Sequence, residues 1–436
     1  MARGEMRLSS RAQNRTEIVT VSFGNRVWSQ LARNAFLVAG AGLFANALNL
    51  IVSFAIARRL TPGEYGSYSQ LVGVFFVIAL PGSALGVAVV RRSASSIAGG
   101  ASIGTMGWRL TLERRLIKFT ILAAGVSLVV SPLIAQWLGH CSWLAVWSIC
   151  LSAIVWSLLS VDRALLQAHQ RYGALAINFS VEGILRVVVI FAGTYEGVIG
   201  TSLGLLIVEV ATRAHAKFLV NRVGSEVNPN IALPREISSD LGYALLALGL
   251  LAVLQFVDMF AVGHAHTGQS GSYAAISQIS KTLVYAAIIL GSFLLPETAL
   301  AQQSGRSALR QLAIAAGILV GPALILFTVA LVNPSYLLIH VFGTQYSRAS
   351  EFLVVLILAM FLLALSTLCV TYLLGVGNRT GTFWLLTSTA AGSWYITHQP
   401  VSLSGTVHRD LLVQIVVFAG LAVTILTTSR RMLEQR

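Results

Sequence analysis

The sequence predicts an all-α polytopic membrane protein with about twelve transmembrane helices. Its composition, its repeated apolar segments and the placement of its charges each indicate this fold class. Hydrophobic residues make up 56% of the chain and charged residues 11%, with a mean hydropathy of +0.78. A soluble domain carries about a quarter charged residues, because its surface faces water. Most of this surface must therefore face lipid, which excludes a soluble globular or intrinsically disordered protein.

Twelve apolar segments are long enough to span a bilayer, whose hydrocarbon core requires about 20 helical residues. The eleventh is the weakest, because it is rich in Thr, Ser and Gly. The predicted spans are 35–57, 66–90, 116–138, 143–162, 173–194, 197–219, 239–263, 272–298, 311–333, 350–376, 382–398 and 410–428.

The distribution of basic residues predicts the orientation of these spans. The chain has 30 Lys and Arg residues against 16 Asp and Glu, a net charge of +14. With the amino terminus inside, Arg186 and Lys281 lie within spans, and nearly all others fall in cytoplasmic segments. The four predicted outside are Arg58, Arg59, Arg348 and Arg409. Basic loops stay in the cytoplasm, so we expect a multi-pass protein with both termini cytoplasmic. Because the charges are scattered between apolar runs, nucleic acid is not an expected partner.

The amino-terminal segment and the three cysteines indicate no cleaved signal, disulfide or metal site. Residues 1–34 are polar and Arg-rich, without a cleavable signal, and read as a cytoplasmic tail. Cys141, Cys150 and Cys369 have neither pairing nor metal-ligand spacing, so we predict neither a disulfide nor a zinc site.

A short internal repeat divides the chain into halves. The stretch Phe54–Tyr68 reads FAIARRLTPGEYGSY, and Phe260–Tyr273 reads FAVGHAHTGQSGSY. The two lie about half a chain apart and pair spans 1–2 with spans 7–8, a plan found in transporters with repeated six-span halves. The expected organisation is a tail at 1–34, a six-helix bundle at 35–220, a cytoplasmic linker at 221–238, a second bundle at 239–428 and a cytoplasmic tail at 429–436.

Several spans contain charged residues, each of which costs roughly 2.5–3.5 kcal/mol at the bilayer centre. Glu182 and Arg186 lie one turn apart in the fifth span, and Glu209 and Arg213 lie one turn apart in the sixth. Two interpretations are open for both pairs. They form salt bridges that hold helices together, or they line a hydrated cavity whose cations hold an anionic head group.

Lys281 and Asp258 lie in the second half. Lys281 is about ten residues into the eighth span and has no acid within helical reach, so it needs a partner on another helix or a ligand. Asp258, nearer the outer end of the seventh span, is a candidate counter-ion or coupling-ion residue. Pro81, followed by Gly82, is the best hinge candidate, because an intrahelical proline removes a backbone hydrogen bond and permits a bend.

Catalytic motifs are missing. The chain contains no phosphate-binding Gly-rich loop, His-Glu-x-x-His motif, paired cysteines or nucleophile elbow. The predicted outer loops are short, whereas a glycan polymerase would need a larger outer domain. We therefore expect a protein that is not an enzyme, with no catalytic residue, metal ligand or cofactor.

Four stretches resemble the polysaccharide transporters that flip O-antigen or exopolysaccharide repeat units. Arg58–Tyr68 follows that family's Arg-x-Leu-x-Pro-x-Glu-Tyr-Gly-x-Tyr pattern. The other three are Phe256-Val257-Asp258, Gly271-Ser272-Tyr273 with Leu295-Pro296, and Phe342-Gly343 with Tyr346 and Ala349. The similarity runs from about Asn34 to Ile425 and departs from the family at 381–410, which is poor in apolar residues. The family belongs to the multidrug/oligosaccharidyl-lipid/polysaccharide exporter superfamily.

This resemblance implies two six-helix bundles around a central cavity. The implied substrate is an oligosaccharide repeat unit on undecaprenyl diphosphate, moved from the inner to the outer leaflet of the bacterial cytoplasmic (inner) membrane for lipopolysaccharide or exopolysaccharide synthesis. Transport would proceed by alternating access coupled to an ion gradient. Arg186 and Lys281 would meet the diphosphate or acidic sugars, and Arg58 and Arg59 would receive the head group on the outer side. The residues Glu182, Glu209 and Asp258 would act as counter-ions or coupling groups.

The resemblance also implies partners and leaves alternatives. A lipid-linked oligosaccharide, membrane lipid, a polysaccharide polymerase and chain-length machinery are the implied partners, and a twelve-span transporter can work as a monomer. A drug/cation antiporter of the same superfamily is the second hypothesis and would have an acid-dominated cavity. A membrane glycan polymerase is the third.

Overall fold

The computed structural model describes Leu37 and residues 40–98, 104–139, 141–169, 171–222, 236–265, 267–303, 308–398 and 402–434. These residues form helices joined by turns. The predicted amino-terminal tail and most of the predicted linker at 221–238 lie outside the described residues.

The described helices are numbered α1 to α12 in chain order. The first six are α1 Gly40–Arg59, α2 Pro62–Ala98, α3 Gly104–Trp137, α4 Trp143–Ala168, α5 Tyr172–Leu185 and α6 Gly197–Asn221. The second six are α7 Glu236–Ala265, α8 Thr267–Gln303, α9 Leu309–Val332, α10 Leu353–Val376, α11 Thr380–His398 and α12 Leu403–Glu434. A short helix, Pro334–Val341, and a 3-10 helix, Thr344–Phe352, connect α9 to α10 and are called the α9–α10 strap.

The helices α5 and α6 belong to one helical stretch, Tyr172–Asn221, of 50 residues. A straight helix of that length would extend about 75 Å, more than twice the roughly 30 Å of a bilayer core. The stretch folds back on itself at Gly197, whose φ of +64° favours glycine. A Cβ at Gly193 would lie 2.3 Å from the carbonyl oxygen of Gly200, so only glycine permits this close approach. The stretch therefore forms two antiparallel spans.

By length and composition, ten segments of the described chain are suited to cross a membrane. Tyr172–Asn221 counts there as one segment, and α11 is too polar to be counted. The helix α11 nevertheless forms over 19 residues and packs against α7 and α12. Dividing the long segment and including α11 accounts for the twelve predicted helices.

Several helices extend beyond the predicted spans, and two of these differences matter for buried charge. The helix α4 continues to Ala168, not 162, which places Arg163 inside the helix and leaves it only 8% exposed. The helix α12 begins at Leu403, not 410, which places Asp410 two turns inside with no exposed surface. Polar residues near a predicted end hid both extensions, because hydropathy alone cannot show that a charge is paired inside the protein.

The helices form two six-helix bundles, α1–α6 and α7–α12. In the first bundle α4 packs against α2 and α6, and in the second α10 packs against α8 and α12. The helix α2 joins the bundles by packing against α7 and α8. Because the loop charges predict that the α1–α2 turn faces outward, the end of the molecule that carries this turn is called the outer end.

One face of α2 makes the contacts between the bundles. Its start is well defined, because Thr61 and Glu64 form a reciprocal cap: the Thr61 N–H donates to Glu64 Oε2 at 2.9 Å, and the Glu64 N–H donates to Thr61 Oγ1 at 3.3 Å. Residues that contact α7 or α8 recur every three or four positions through the outer half of α2: Pro62, Gly66, Gln70, Gly73, Phe76 and Leu80. This helical spacing fits the bundles together on the outer side.

Candidate functional site

A buried network of ionised side chains lies in the first bundle and centres on Arg186. Its Nη2 lies 2.6 Å from Glu182 Oε1 on the same helix and 2.6 Å from Glu209 Oε1 on α6. Its Nη1 donates a hydrogen bond of 3.0 Å to Asn49 Oδ1 on α1. On the other side, Arg163 Nη2 of α4 lies 2.5 Å from Glu182 Oε2. These five residues, the Arg186 network, join α1, α4, α5 and α6.

The Arg186 network is balanced in charge, with two arginines and two glutamates. The side chains of Glu182 and Glu209 are 8% and 0% exposed, whereas that of Arg186 is 16% exposed. Buried charges of this kind are stable only when paired, because desolvation costs several kcal/mol per ion. Arg186 also opens a π-helical turn, Arg186–Ile190, an irregularity that is frequent at functional sites.

Of the two pairs that lie one turn apart, Glu182 and Arg186 form an ion pair. Glu209 instead reaches Arg186 on the neighbouring helix, and the Arg213 Nε lies 3.9 Å from Asp162 Oδ2. Glu209 is thus paired with Arg186 of the adjacent helix at 2.6 Å and not with Arg213, the residue one turn away on its own helix. These contacts fit salt bridges that hold helices together, and the interpretation as a cavity that holds an anionic head group stays a hypothesis. Sequence reasoning also missed Arg163, which it assigned to a cytoplasmic loop.

A second buried network lies in the second bundle and centres on Lys281. The Lys281 Nζ is 3.7 Å from Asp258 Oδ1, and the Tyr273 hydroxyl donates a 2.7 Å hydrogen bond to Asp258 Oδ2. Asp410 of α12 interacts electrostatically with both Asp258 and Lys281. Its Oδ1 accepts a 3.0 Å hydrogen bond from Gln414 Nε2. These five residues are called the Lys281 network.

The Lys281 network contains more acid than base. It holds two carboxylates against one ammonium group, and all three groups are almost fully buried. Asp258 Oδ1, Asp410 Oδ2 and Gln414 Oε1 have no hydrogen-bond partner within the part of the chain that the structure describes. The sequence predicted that Lys281 needs either a partner on another helix or a ligand, and the structure places Asp258 of α7 beside it. The sequence analysis did not single out Asp410. The spacing of Asp410 and Gln414, four residues apart before an apolar run, could have indicated a polar pair on one helix face.

Both networks adjoin the interface between the bundles. Lys281 Nζ lies 4.4 Å from the centroid of the Phe256 ring, which stacks on Phe76 of α2 at 5.3 Å. Phe76 also stacks on Tyr285 of α8 at 5.9 Å. The Arg186 guanidinium is near enough to Tyr285 of α8 to interact with it electrostatically.

Arg58 and Arg59 lie apart from these networks, at the outer end. Arg58 donates a 3.1 Å hydrogen bond from Nε to the Val341 carbonyl and a second bond from Nη2 to the His340 carbonyl. The Arg59 guanidinium lies 4.8 Å from the Phe191 ring centroid and 4.7 Å from that of Tyr195. The predicted cationic residues are thus separated: Lys281 is buried, Arg186 is largely buried, and Arg58 and Arg59 are exposed.

The outer end is closed by contacts between the two bundles. The Tyr346 hydroxyl in the α9–α10 strap donates a 2.7 Å hydrogen bond to the carbonyl of Ala57 in α1. The Tyr346 ring also packs against Tyr65 of α2 at 5.7 Å between centroids. Gly66 and Gly271 meet beside it so closely that a Cβ at Gly66 would lie 2.8 Å from the Gly271 nitrogen. These five residues are called the outer seal.

The outer seal brings the two copies of the internal repeat into contact. The aligned ends of the repeat are Gly66-Ser67-Tyr68 and Gly271-Ser272-Tyr273. They lie near the starts of α2 and α8, which are the equivalent helices of the two bundles. The structure places the two glycines against each other, so the repeated segments form a single contact between the halves.

The predicted hinge lies within α2. The backbone remains helical through Pro81, and a Cβ at Gly82 would lie 2.3 Å from Ser157 Cα of α4. Gly82 therefore serves close packing inside the first bundle, and bending at Pro81-Gly82 stays a prediction. Among the described residues, no group of three or more His, Cys, Asp or Glu side chains is placed to hold a metal ion.

The fold is similar to solved structures of MOP superfamily transporters. The inward-facing conformation of a multidrug resistance MATE family transporter of that superfamily matches with a TM-score of 0.65 and 15% identity, over 91% of this chain and 99% of that one. MATE in the straight conformation matches with a TM-score of 0.63 and 14% identity, over 91% and 95% of the two chains.

A third similar structure is a MOP superfamily transporter from Pyrococcus furiosus Vc1, described as having a binding pocket of reverse polarity that suggests a different function. It matches with a TM-score of 0.58 and 15% identity, over 90% of this chain and 95% of that one. No family model and no curated protein matches the sequence. The solved structures are transporters, and at these identities they show the fold, twelve helices in two bundles.

Proposed function

We propose that this chain, which has the fold of MOP superfamily transporters, is a flippase for a lipid-linked oligosaccharide in the bacterial inner membrane. Its substrate class is a glycan carried on a polyprenyl diphosphate, moved to the outer leaflet by alternating access, with both termini in the cytoplasm. The observation that carries the proposal is the Arg186 network, in which the buried Arg163 and the largely buried Arg186 are held by two glutamates inside the first bundle.

The chemistry of a diphosphate fits Arg186. Guanidinium groups bind carboxylate and phosphate oxygens with the same bidentate geometry. The carboxylates of Glu182 and Glu209 both contact the Arg186 Nη2, where an oxygen of the diphosphate would replace them. Glu182 retains Arg163 as a partner when Arg186 turns to substrate, whereas Glu209 gives up its ion pair with Arg186. Lys281 would supply a second cation from the other bundle.

The Lys281 network supplies the coupling step in this proposal. Asp258 and Asp410 leave it one negative charge in excess when both are ionised, and buried carboxylates with free oxygens bind protons or sodium ions. Ionisable groups within a membrane mark proton and ion pathways. A cation taken up here from the outer side would compensate the excess charge during the return of the empty transporter.

A drug/cation antiporter is the second candidate, and the acid excess around Lys281 favours it. Asp258 and Asp410 would then bind a cationic drug in exchange for a proton or sodium ion. The MATE structures share this fold, but the paired arginines of the first bundle distinguish the two candidates, because a cationic drug gains nothing from Arg163 and Arg186.

The deciding experiment measures the leaflet distribution of lipid-linked oligosaccharide in cells that lack this protein. Spheroplasts are probed with a lectin against the repeat unit, and total carrier-linked glycan is extracted in parallel. We expect linked glycan to accumulate in the lectin-inaccessible leaflet. Normal synthesis and normal display would contradict the flippase and direct the next assay to drug or cation antiport. Loss of synthesis would indicate an enzyme.

Variants then connect the phenotype to the site. Arg186→Ala and Lys281→Ala should abolish lectin-accessible glycan while the protein remains in the membrane. Arg222→Ala and Lys118→Ala, which change exposed residues of the same types, should display glycan normally. Equal display by all four variants would remove Arg186 and Lys281 from the substrate site.

A further inference from the structure

An apolar groove lies at the outer end, where the first bundle meets the α9–α10 strap. It encloses about 490 Å³, within the range of small-ligand sites. Its walls come from α1, from the segment after α5 and from the strap. The lining residues are Ile51, Phe54, Ala55, Arg58, Arg59, Phe191, His340 and Val341. Its residues are thus aliphatic or aromatic except for two arginines and a histidine.

The two arginines have different surroundings. Arg58 uses Nε and Nη2 to bind carbonyls of the strap. Arg59 is exposed and its guanidinium lies against the Phe191 and Tyr195 rings, contacts that leave its N–H donors unused. Within the described part of the chain, no carboxylate lies at ion-pair distance from either guanidinium. The nearby Glu64 carboxylate is engaged by Thr61.

We propose that this groove binds an anionic phospholipid of the outer leaflet. The lipid phosphate would accept hydrogen bonds from Arg59 and from the free Nη1 of Arg58. The first part of an acyl chain would lie against Ile51, Phe54 and Ala55. Charge complementarity selects this occupant: the groove combines an apolar wall with two cations at a membrane interface, and a soluble anion would leave the apolar wall exposed to water.

The same lipid would influence the outer seal. Arg58, Arg59 and Phe191 belong to the first bundle, whereas His340 and Val341 belong to the second. A lipid in the groove would also contact Val341 in the wall that the second bundle supplies, so it should bind more tightly while the bundles are together at the outer end. Binding that favours one conformation shifts the population toward it, so anionic lipid should favour the closed outer end. This inference goes beyond the proposed function and does not depend on the exported substrate.

Lipid binding is tested on the purified full-length chain by native mass spectrometry, with phosphatidylglycerol or phosphatidylcholine as the probe. We expect retained phosphatidylglycerol on the parent protein. Loss of one charge-assisted contact in Arg59→Ala should weaken binding about tenfold. Ala55→Phe should weaken it as well, by filling the groove without altering charge. Arg222→Ala is the matched control, because Arg222 is exposed and lies over Phe218 at 4.2 Å, at the opposite end.

The outcomes separate a specific groove from general attraction between arginine and lipid. Retention by Arg222→Ala together with loss in Arg59→Ala and Ala55→Phe supports the groove. Equal binding by all variants, or equal retention of the two lipids, overturns it. As an independent readout, the distance between spin labels at Glu196→Cys and Ser404→Cys, both exposed at the outer end, should report a larger closed fraction in phosphatidylglycerol vesicles. An unchanged closed fraction overturns the effect on the seal.

Discussion

Replacing Gly271 by alanine should open the outer end of this protein. A Cβ at this position would lie 1.9 Å from the carbonyl oxygen of Pro62, 2.6 Å from its carbon and 2.8 Å from its Cα. All three atoms are backbone, so no side chain can rotate away. The methyl group therefore separates the start of α8 from the start of α2, and with them the two bundles.

The magnitude follows from the cost of adding a methyl group to a packed contact. Overpacking of this kind costs about 1–3 kcal/mol, and here that cost falls on the closed state alone. The ratio of closed to open molecules should then decrease by about 5- to 150-fold. The effect on the free energy of unfolding should be smaller, because the open state relieves the clash while both bundles stay folded.

The assay is the distribution of distances between spin labels at Glu196→Cys and Ser404→Cys, in a background without the three native cysteines. Gly271→Ala should add or enlarge a long-distance population. Gly268→Ala is the matched control, because Gly268 lies three residues before Gly271 at the start of α8 and a Cβ there meets nothing within 4 Å. If Gly271→Ala and Gly268→Ala have the same distance distribution, the glycine contact does not hold the outer end closed.

Three further predictions concern the buried polar groups. Arg186→Gln should lower the free energy of unfolding by about 3–5 kcal/mol, and adding Glu209→Gln should restore part of it in detergent unfolding; a double variant as unstable as the single one would contradict the ion pair. Asp410→Asn should preserve folding but abolish the dependence of transport on an ion gradient in proteoliposomes, and retained dependence would exclude Asp410 from coupling. Tyr346→Phe removes the hydrogen bond to Ala57, worth about 1 kcal/mol, and should increase the open population in the spin-label assay; an unchanged population would mean that this bond does not contribute to closure.

The sequence alone determined the fold class and the number of helices, because the requirements of a lipid environment act locally along the chain. Each span needs an apolar run of sufficient length, and a short repeat at Phe54–Tyr68 and Phe260–Tyr273 was enough to reveal two halves. Contacts between neighbours on one helix could also be predicted from the sequence, since residues three or four apart share a face. That rule found the Glu182–Arg186 pair.

Only the tertiary structure decided which helices lie side by side, and therefore which charges meet. The rule that found Glu182–Arg186 failed for Glu209, because Arg186 approaches Glu209 from another helix. Asp410 and Arg163 looked like helix ends in the sequence, and their burial became visible only with the partners that make it stable. Gly66 and Gly271 appeared as a repeat, but their contact at the outer seal depends on two helices some 200 residues apart. Hydropathy reports what faces lipid, whereas the pairing of buried polar groups depends on distances that only the folded chain sets.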